Sequence, residues 1–382
     1  MKILIAPDSF KGSLPAQEVA KAMARGLAKA QPSAAIDLIP VADGGEGTVD
    51  CLVTAMSGEL ITVPVHDPLG RLIEASYGVL PDGTAVIEMA AAAGLTLIDE
   101  LERDIRQANT YGVGELILDA LSRGYRSFVI GIGGSATNDA GVGMLSALGM
   151  RFFTEAGHEL PPTPEALTEL HHVETAELTN TLSGVAIRVA SDVTNPLCGP
   201  KGASAVFGPQ KGATQEDVVF LDGALSRFAD VVERHLERPF REVPGAGAAG
   251  GVGAALHGVM QAELVKGISL VLDVVGFEQR LEDADLVLTG EGQTDFQTVH
   301  GKVVAGIAQR AKAAGVPVFC LSGAVTEDAR ELYDHGVDAL FAIPRGPISL
   351  AQSMEQAAEL LEFSAEAAMR AFLAGLNRSA RS

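Results

Sequence analysis

The sequence of 382 residues has no tryptophan, four tyrosines and three cysteines, and aromatic residues make up only 5% of it. So few large rings exclude an aromatic-rich β-sandwich and favour helices packed on a parallel sheet, in keeping with a hydrophobic content of 47% carried largely by alanine and valine. Cys51, Cys198 and Cys320 are widely scattered and form no CxxC pair. A disulfide framework of the small secreted kind is therefore excluded, and a reducing compartment is expected. Basic residues are scarce too: 28 Lys and Arg face 49 Asp and Glu, for a formal charge of −21. That balance excludes nucleic acid or an anionic membrane as a partner, since both need a basic surface. A small anionic substrate stays compatible if local lysines and a divalent cation offset the field. No run is long and apolar enough to span a bilayer, and the apolar start of MKILIAPDSF is too brief for a signal-peptide core, so the expected location is cytoplasmic.

Glycine is abundant, with 43 residues, and its most telling use lies between Phe128 and Gly149, FVIGIGGSATNDAGVGMLSALG. Phe128, Val129, Ile130 and Ile132 read as a buried strand, because a short β-branched run stopped by glycine fits a parallel-sheet core. Gly133 and Gly134 then let the backbone turn sharply and approach a ligand. Ser135 or Thr137 is expected to cap a following helix whose buried stripe is Val142, Leu145 and Leu148. Such a helix start would aim free N–H groups at an anion lying over the turn. A lone turn of this kind more often binds nothing.

The layout recurs along the chain. Lys2 to Ala6 reads as a strand ending at Pro7, Asp8 and Ser9, and Gln17 to Ala30 as a helix; Ile36 to Val41 is a second strand, ending in Asp43-Gly44-Gly45-Glu46-Gly47-Thr48. From Ile61 to Glu88 short alternating runs separated by Pro-Leu-Gly and Pro-Asp-Gly predict antiparallel hairpins. Glu155 to Asn180, polar and proline-rich, reads as a surface excursion. Ile187 to Ala190, Leu281 to Leu288, Val318 to Leu321 and Ala339 to Ile343 read as further strands, His300-Gly301-Lys302 opens a helix, and Met354 to Leu373 reads as an amphipathic C-terminal helix. The length calls for two domains.

Strand exits at Asp8, Asp43, Gly133, Asp192 and Glu291 all carry carboxylates, hydroxyls or glycines. Any one of them alone reads as a turn former, but ligands of open parallel sheets bind at the carboxyl ends of strands, and together the five imply a shared cleft. Gly133, Gly134 and Ser135, with Gly247, Gly250 and Gly251, can offer N–H groups to phosphate; Lys11, Lys201, Lys211 and Lys302 can offer charge, with Lys302 placed best. Asp43, Glu46, Asp192, Glu291 and Asp295 are candidates for magnesium ligands or for the base that aligns an attacking hydroxyl. Asp192 beside Asn195 is chosen for the base. No histidine spacing suggests zinc. Gly245 to Val252 matches GxGxxG literally but follows Pro244 and a charged run where a long strand is required, and no GxxxxGK[ST] occurs.

The stretches APDSFKGSL, VADGGEGT, GIGGSATNDAGVG, SDVTNPLCGPKGASAVFGPQKGA, PGAGAAGGVGAAL and LTGEGQTDFQTVHGK, running in order from Ala6 to Lys302, resemble the signature blocks of the bacterial glycerate kinase family. The resemblance spans essentially the whole chain. It implies transfer of the γ-phosphoryl group of ATP to D-glycerate, with 2-phosphoglycerate as the product of this branch. It also implies a Rossmann-like or flavodoxin-like parallel-sheet α/β domain built from both chain ends, an inserted α/β domain with a mixed sheet, and an active site between them. Two positions depart from the pattern: Ser191 stands where relatives often carry cysteine, and Gln293 where many carry arginine.

The expected architecture is α/β, with residues 1–60 and 284–382 in the first domain and 61–283 in the second. The expected catalytic set is Asp192, Lys302 and Asn195. Substrate and phosphate are expected on Asp8, Ser9, Lys11, Gly133, Gly134, Ser135, Asn138, Asp139, Lys211, Gly247 and Gly250, and Mg2+ on Asp43, Glu46, Glu291 and Asp295. ATP and D-glycerate are the expected partners and a homodimer is allowed for. Two other readings stay open: an NAD-dependent hydroxy-acid oxidoreductase, suggested by Gly245 to Gly250, and a non-catalytic metabolite sensor.

Overall fold

The structure, a computed structural model, describes residues 1–299 and 302–379. The chain divides into two compact units, and it crosses from one to the other between Asp43 and Gly44. The first unit takes Met1–Asp43, Asp50–Met56 and the chain from Ile268 onward; the second takes Gly44–Val49 and Ser57–Gly267. Relative to the boundaries drawn from the sequence, Gly44–Val49 and Ser57 to Leu60 go with the second unit, and the segment from Ile268 to Asp283 goes with the first. Its apolar side supplies a reason, since Ile268 packs against Gly306, where an added Cβ would lie 2.7 Å from the isoleucine. No helix among the described residues is long and apolar enough to cross a membrane.

The first unit is built on a five-stranded parallel sheet in the order Ala339–Ala342, Val318–Ser322, Leu286–Thr289, Lys2–Ile5, Ala35–Leu38. Its inner strands read ILI and LVLT because both faces are covered. Helices Ala16–Ala30 and Ala357–Ser379 pack on one face, with Ile3, Ile5, Leu288, Met23, Leu27 and Leu361 in the shared core. Gly26 lets these two helices touch, since a Cβ there would lie 2.0 Å from the Glu362 carbonyl oxygen.

The second unit carries a mixed six-stranded sheet in the order Glu263–Val265, Ala186–Ala190, Ser127–Gly131, Thr84–Glu88, Leu72–Val79, Glu59–His66. The first four strands run parallel and the last two form the antiparallel meander expected from the alternating runs, in register from Glu59 opposite Val79 to His66 opposite Leu72. Ser127–Gly131 sits inside the sheet, and Phe128, Val129 and Ile130 are wholly buried.

Several local expectations are corrected. The helix after the glycine turn begins only at Val142 and runs six residues, behind Gly141 in a left-handed conformation and with no side-chain cap. Ser135 and Thr137 therefore do not cap it. The stretch from Glu155 to Asn180 is more than a surface excursion: His172–Glu174 pairs with Arg151–Phe153, and Leu167, Leu170, Val173 and Leu178 are buried. The strand expected from Leu281 starts at Leu286, after a short helix over Phe277–Leu281. The C-terminal helix is two helices, Leu350–Glu355 and Ala357–Ser379. His300 and Gly301, expected to open a helix, lie outside the described residues, and the helix itself is Val303–Ala313.

Leu288 is fully buried in the first sheet and Val219 is 68% exposed on a helix of the second unit. Leu288→Ala is expected to cost about 2–5 kcal/mol in urea unfolding and Val219→Ala less than about 0.5 kcal/mol; equal midpoints for the two variants would contradict the placement of this core.

Candidate active site

In the second unit the chain leaves Ser127–Gly131 into two exposed glycines, Gly133 and Gly134. Glycine is needed here because the loop Gly44–Val49 lies against it: a Cβ on Gly131 would sit 2.5 Å from the Gly44 carbonyl oxygen, and one on Gly133 would sit 3.0 Å from the Gly45 Cα. That loop is braced by Thr48 Oγ1 donating to the Gly45 carbonyl at 2.7 Å and by the Val49 N–H donating to Glu88 Oε1 at 2.7 Å. Gly44 also packs on Ala190 and Gly267, so the ends of two adjacent parallel strands and this loop share one neighbourhood.

Beyond the glycines the turn is organised by Asp139, which is completely buried. Its Oδ2 accepts from the Thr110 N–H at 2.9 Å, the Thr110 hydroxyl at 2.7 Å and the Gly143 N–H at 3.1 Å, and its Oδ1 accepts from the Gly141 N–H at 3.0 Å. The anion expected over a helix start is thus supplied by the chain itself. Burial pushes the Asp139 carboxyl above its usual range, while the Thr110 and glycine donors favour the charged form and oppose that rise.

Beside it lies Lys211, 2% exposed, whose Nζ donates to Ser135 Oγ at 2.8 Å and to the Thr137 carbonyl at 2.6 Å. Burial lowers its pKa to about 7, with Asp139 pulling the other way. Asn138 is also fully buried, and its Nδ2 donates to Ser204 Oγ at 2.9 Å. Thr137 Oγ1 and Asn138 Oδ1 are buried and, among the described residues, have no hydrogen-bond partner. Leaving such atoms unsatisfied costs about 1–3 kcal/mol each, which is tolerable at a place that receives polar groups from outside. Positive φ at Ala140, 53°, and at Ala249, 54°, marks strain in two glycine-rich loops joined by the Ala140 N–H and the Gly250 carbonyl at 3.0 Å.

Other expected residues of this unit play quieter parts. The Gly247 N–H donates to the Asn195 carbonyl at 2.9 Å, so it does not face a phosphate, and Gly250 is a packing glycine whose Cβ would lie 2.1 Å from the Thr137 carbonyl oxygen. Asn195 Nδ2 holds the Lys201 carbonyl at 2.8 Å. Asp192 is exposed, and its Oδ1 accepts from the Gly267 N–H at 2.9 Å. Glu46 is exposed in the Gly44–Val49 loop, and so belongs to a different unit from Asp43, Glu291 and Asp295, its expected companions as metal ligands.

In the first unit, the exits of three neighbouring strands bring acids together. Asp8 lies in the loop after Lys2–Ile5; its N–H donates to the Gly290 carbonyl at 2.9 Å and its Oδ1 accepts from the Ser9 N–H at 2.6 Å. Burial pushes the Asp8 carboxyl up to about 7, with the charges of Asp43 and Glu291 adding to the rise. Glu291 is buried, and Oε1 accepts from the Thr294 hydroxyl at 3.0 Å and the Thr298 hydroxyl at 2.6 Å. Burial raises its pKa; the two hydroxyls and then Lys302 oppose the shift. Lys302 donates to Gln297 Oε1 at 3.2 Å, Asp295 holds the Gln297 N–H at 2.9 Å and Gln293 at 3.0 Å, and Lys11 is exposed. Sequence reasoning missed Thr110, Ser204, Thr294 and Thr298, and expected Thr137 only as a helix cap. No spacing marked the missed residues: Thr294 ends the short strand Gln293–Thr294 and Thr298 lies in the separate short helix Phe296–Val299.

The raised pKa of Asp8 fixes a sign. Its protonated form is favoured in the native state, so its contribution to stability is full below the unfolded value of 3.8 and is lost as pH rises through about 7. Asp8→Asn is therefore expected to gain about 1–2 kcal/mol on the wild type between pH 5 and pH 8 in urea unfolding, after allowance for solvent screening of this half-buried group. A difference that stays constant with pH contradicts the burial of this acid.

Residues 3–373 match the glycerate kinase family. The chain is 50% identical over 366 residues to a glycerate kinase of Bacillus subtilis, covering 96% of each chain, and 46% identical over 344 residues to a glycerate 2-kinase of Escherichia coli, covering 90% of each. It also superposes with a TM-score of 0.90 and 44% identity, over 99% of each chain, on the crystal structure of a protein provisionally named glycerate kinase 2 from Salmonella typhimurium LT2. With a buried lysine bonded to a glycine-rich strand exit and clustered acids at the exits of a second parallel sheet, the chain belongs to the glycerate kinase family.

Proposed function

We propose that this protein transfers the γ-phosphoryl group of ATP to the 2-hydroxyl of D-glycerate, giving 2-phosphoglycerate and ADP. Family membership supports the reaction class, and one geometric observation supports the chemistry: Lys211 is a buried amine fixed by Ser135 Oγ and the Thr137 carbonyl at the end of an exposed glycine turn. Phosphoryl transfer asks mainly for positioning and for charge placed in advance, and a cation held this way need not reorganise as negative charge develops. The uncovered backbone of Gly133 and Gly134 beside it allows close approach by an anion.

Asp8, Asp43 and Glu291 fit magnesium by their chemistry, being hard oxygen donors whose mutual repulsion a dication would relieve. Among the described residues no three acidic, histidine or cysteine side chains converge as a ready metal cage. This suits an ion that keeps several waters and takes one or two carboxylates together with phosphate oxygens. When bound, such an ion neutralises charge on the phosphoryl oxygens. Asp192 is assigned as the group that aligns the attacking hydroxyl; its carboxylate is exposed and oriented by the Gly267 N–H. Lys302, beside Glu291, is assigned to charge neutralisation in the first unit. Cytoplasmic residence agrees with three unbridged cysteines.

The oxidoreductase reading loses its basis, because Gly247 donates its N–H to the Asn195 carbonyl and Gly250 packs against Thr137, so that glycine run does not present a dinucleotide-binding turn.

With Mg-ATP and D-glycerate, phosphorus NMR is expected to show 2-phosphoglycerate forming in step with ADP, and chelation by EDTA to stop it. ADP formed at the glycerate-independent rate, or a 3-phosphate product, contradicts the proposal. Lys211→Met should lower kcat/KM by roughly 10²–10³-fold, and Asp192→Asn, which keeps an acceptor for Gly267, should lower kcat by roughly 10²-fold. Near-normal turnover removes the residue concerned from the mechanism.

A further inference from the structure

The segment from Gly94 to Thr110 is tied to the glycine turn at both ends. At one end the Leu95 N–H donates to the Gly134 carbonyl at 2.9 Å; at the other the Thr110 N–H and hydroxyl donate to Asp139. Midway along it stands Arg103, half-buried, with its stem against Gly212: a Cβ on that glycine would lie 3.4 Å from the Arg103 Cβ and 3.8 Å from its Cδ. Arg103 is thus the neighbour of the residue that follows Lys211.

Its bonding is unlike that of the arginines around it. Arg71 pairs with Asp67 and Glu102, and Arg106 pairs with Asp217 while lying 4.4 Å from the centre of the Phe220 ring. Arg103 lies in the same acid-rich stretch, yet among the described residues it forms no ion pair, and its Nε is buried without a hydrogen-bond partner. Arg126, Arg227 and Arg238 also stand outside any ion pair among the described residues, but each donates to backbone carbonyls, whereas the Arg103 Nε is left over. On the glycine turn itself, buried Thr137 Oγ1 and Asn138 Oδ1 also lack partners among the described residues.

We propose that Arg103 recognises the carboxylate of the hydroxy-acid substrate in the second unit, working with Lys211. A planar guanidinium fork matches the two oxygens of a carboxylate and takes Nε as one of its two donors, which accounts for the orphaned atom. The unpartnered Thr137 hydroxyl and Asn138 carbonyl offer hydrogen bonds to the hydroxyl groups of the same molecule. The proposal rests on the glycerate kinase reading and assigns it a specificity residue.

The test compares wild type, Arg103→Met and Arg103→Lys, each checked for an unchanged melting temperature, in steady-state kinetics with D-glycerate, with its uncharged amide glyceramide, and with ATP varied separately. Arg103→Met is expected to raise the KM for D-glycerate by about 30-fold or more and to leave the KM for ATP within about threefold. The preference for D-glycerate over glyceramide should fall by a similar factor, and Arg103→Lys should recover only part of it. An unchanged KM for D-glycerate, a rise confined to ATP, or equal losses for acid and amide each overturn the assignment, the second pointing to the triphosphate in its place. Wild-type protein with no glycerate-dependent ADP release overturns the parent reading and this one together, whereas normal turnover by Arg103→Met overturns this one alone.

Discussion

The buried carboxylate of Asp139 is the constraint on which the second unit depends. A carboxylate with no exposure is tolerable only if donors surround it, and four of them do: the N–H and hydroxyl of Thr110 and the N–H groups of Gly141 and Gly143. Satisfying them bends the chain through positive φ at Ala140 and Gly141, and leaves room for nothing larger than glycine at 143, where a Cβ would meet the Tyr111 nitrogen at 2.5 Å. The same bend turns the Thr137 carbonyl and Ser135 Oγ toward Lys211 and holds that lysine out of water. Strain in the turn, the buried acid and the buried amine are therefore one arrangement.

Electrostatics divides the labour between the two units. In the first, burial raises the cost of ionising Asp8 and Glu291, the charges of Asp43 and Glu291 add to it at Asp8, and two hydroxyls offset part of it at Glu291. In the second, Lys211 is a buried amine held by two oxygens, and Arg103 is a half-buried guanidinium whose Nε has no partner among the described residues. A strongly acidic protein handling a phosphorylated nucleotide and a hydroxy acid needs both features: a place where a cation is welcome and another where an anion is.

Much of this was legible in the sequence because parallel strands buried on both faces write themselves as short apolar runs. Lys2–Ile5, Ser127–Gly131, Ala186–Ala190 and Leu286–Thr289 all read that way, and the meander after Glu59 declared itself by alternation. What could not be read were roles set by distant partners. Asp139 looks like an exposed turn acid until Thr110, 29 positions away, is brought to it. Lys211 looks like any surface lysine until Ser135, 76 positions away, accepts its hydrogen bond. Arg103 follows the single 3-10 turn Glu100–Glu102 in an irregular stretch without periodicity, so no pattern marked it. The helix after the glycine turn was expected too early for the same reason, since the carboxylate that captures its first N–H groups lies inside the predicted helix itself.

The central claim is that Lys211 is a desolvated amine waiting for an anion, and NMR of the lysine side-chain nitrogens tests it most directly, with Lys211→Met identifying the signal. The account predicts titration near 7 in the free protein and a move upward when D-glycerate is added. An amine that titrates at the ordinary lysine value of about 10.5 and is unmoved by D-glycerate and by ATP would contradict it.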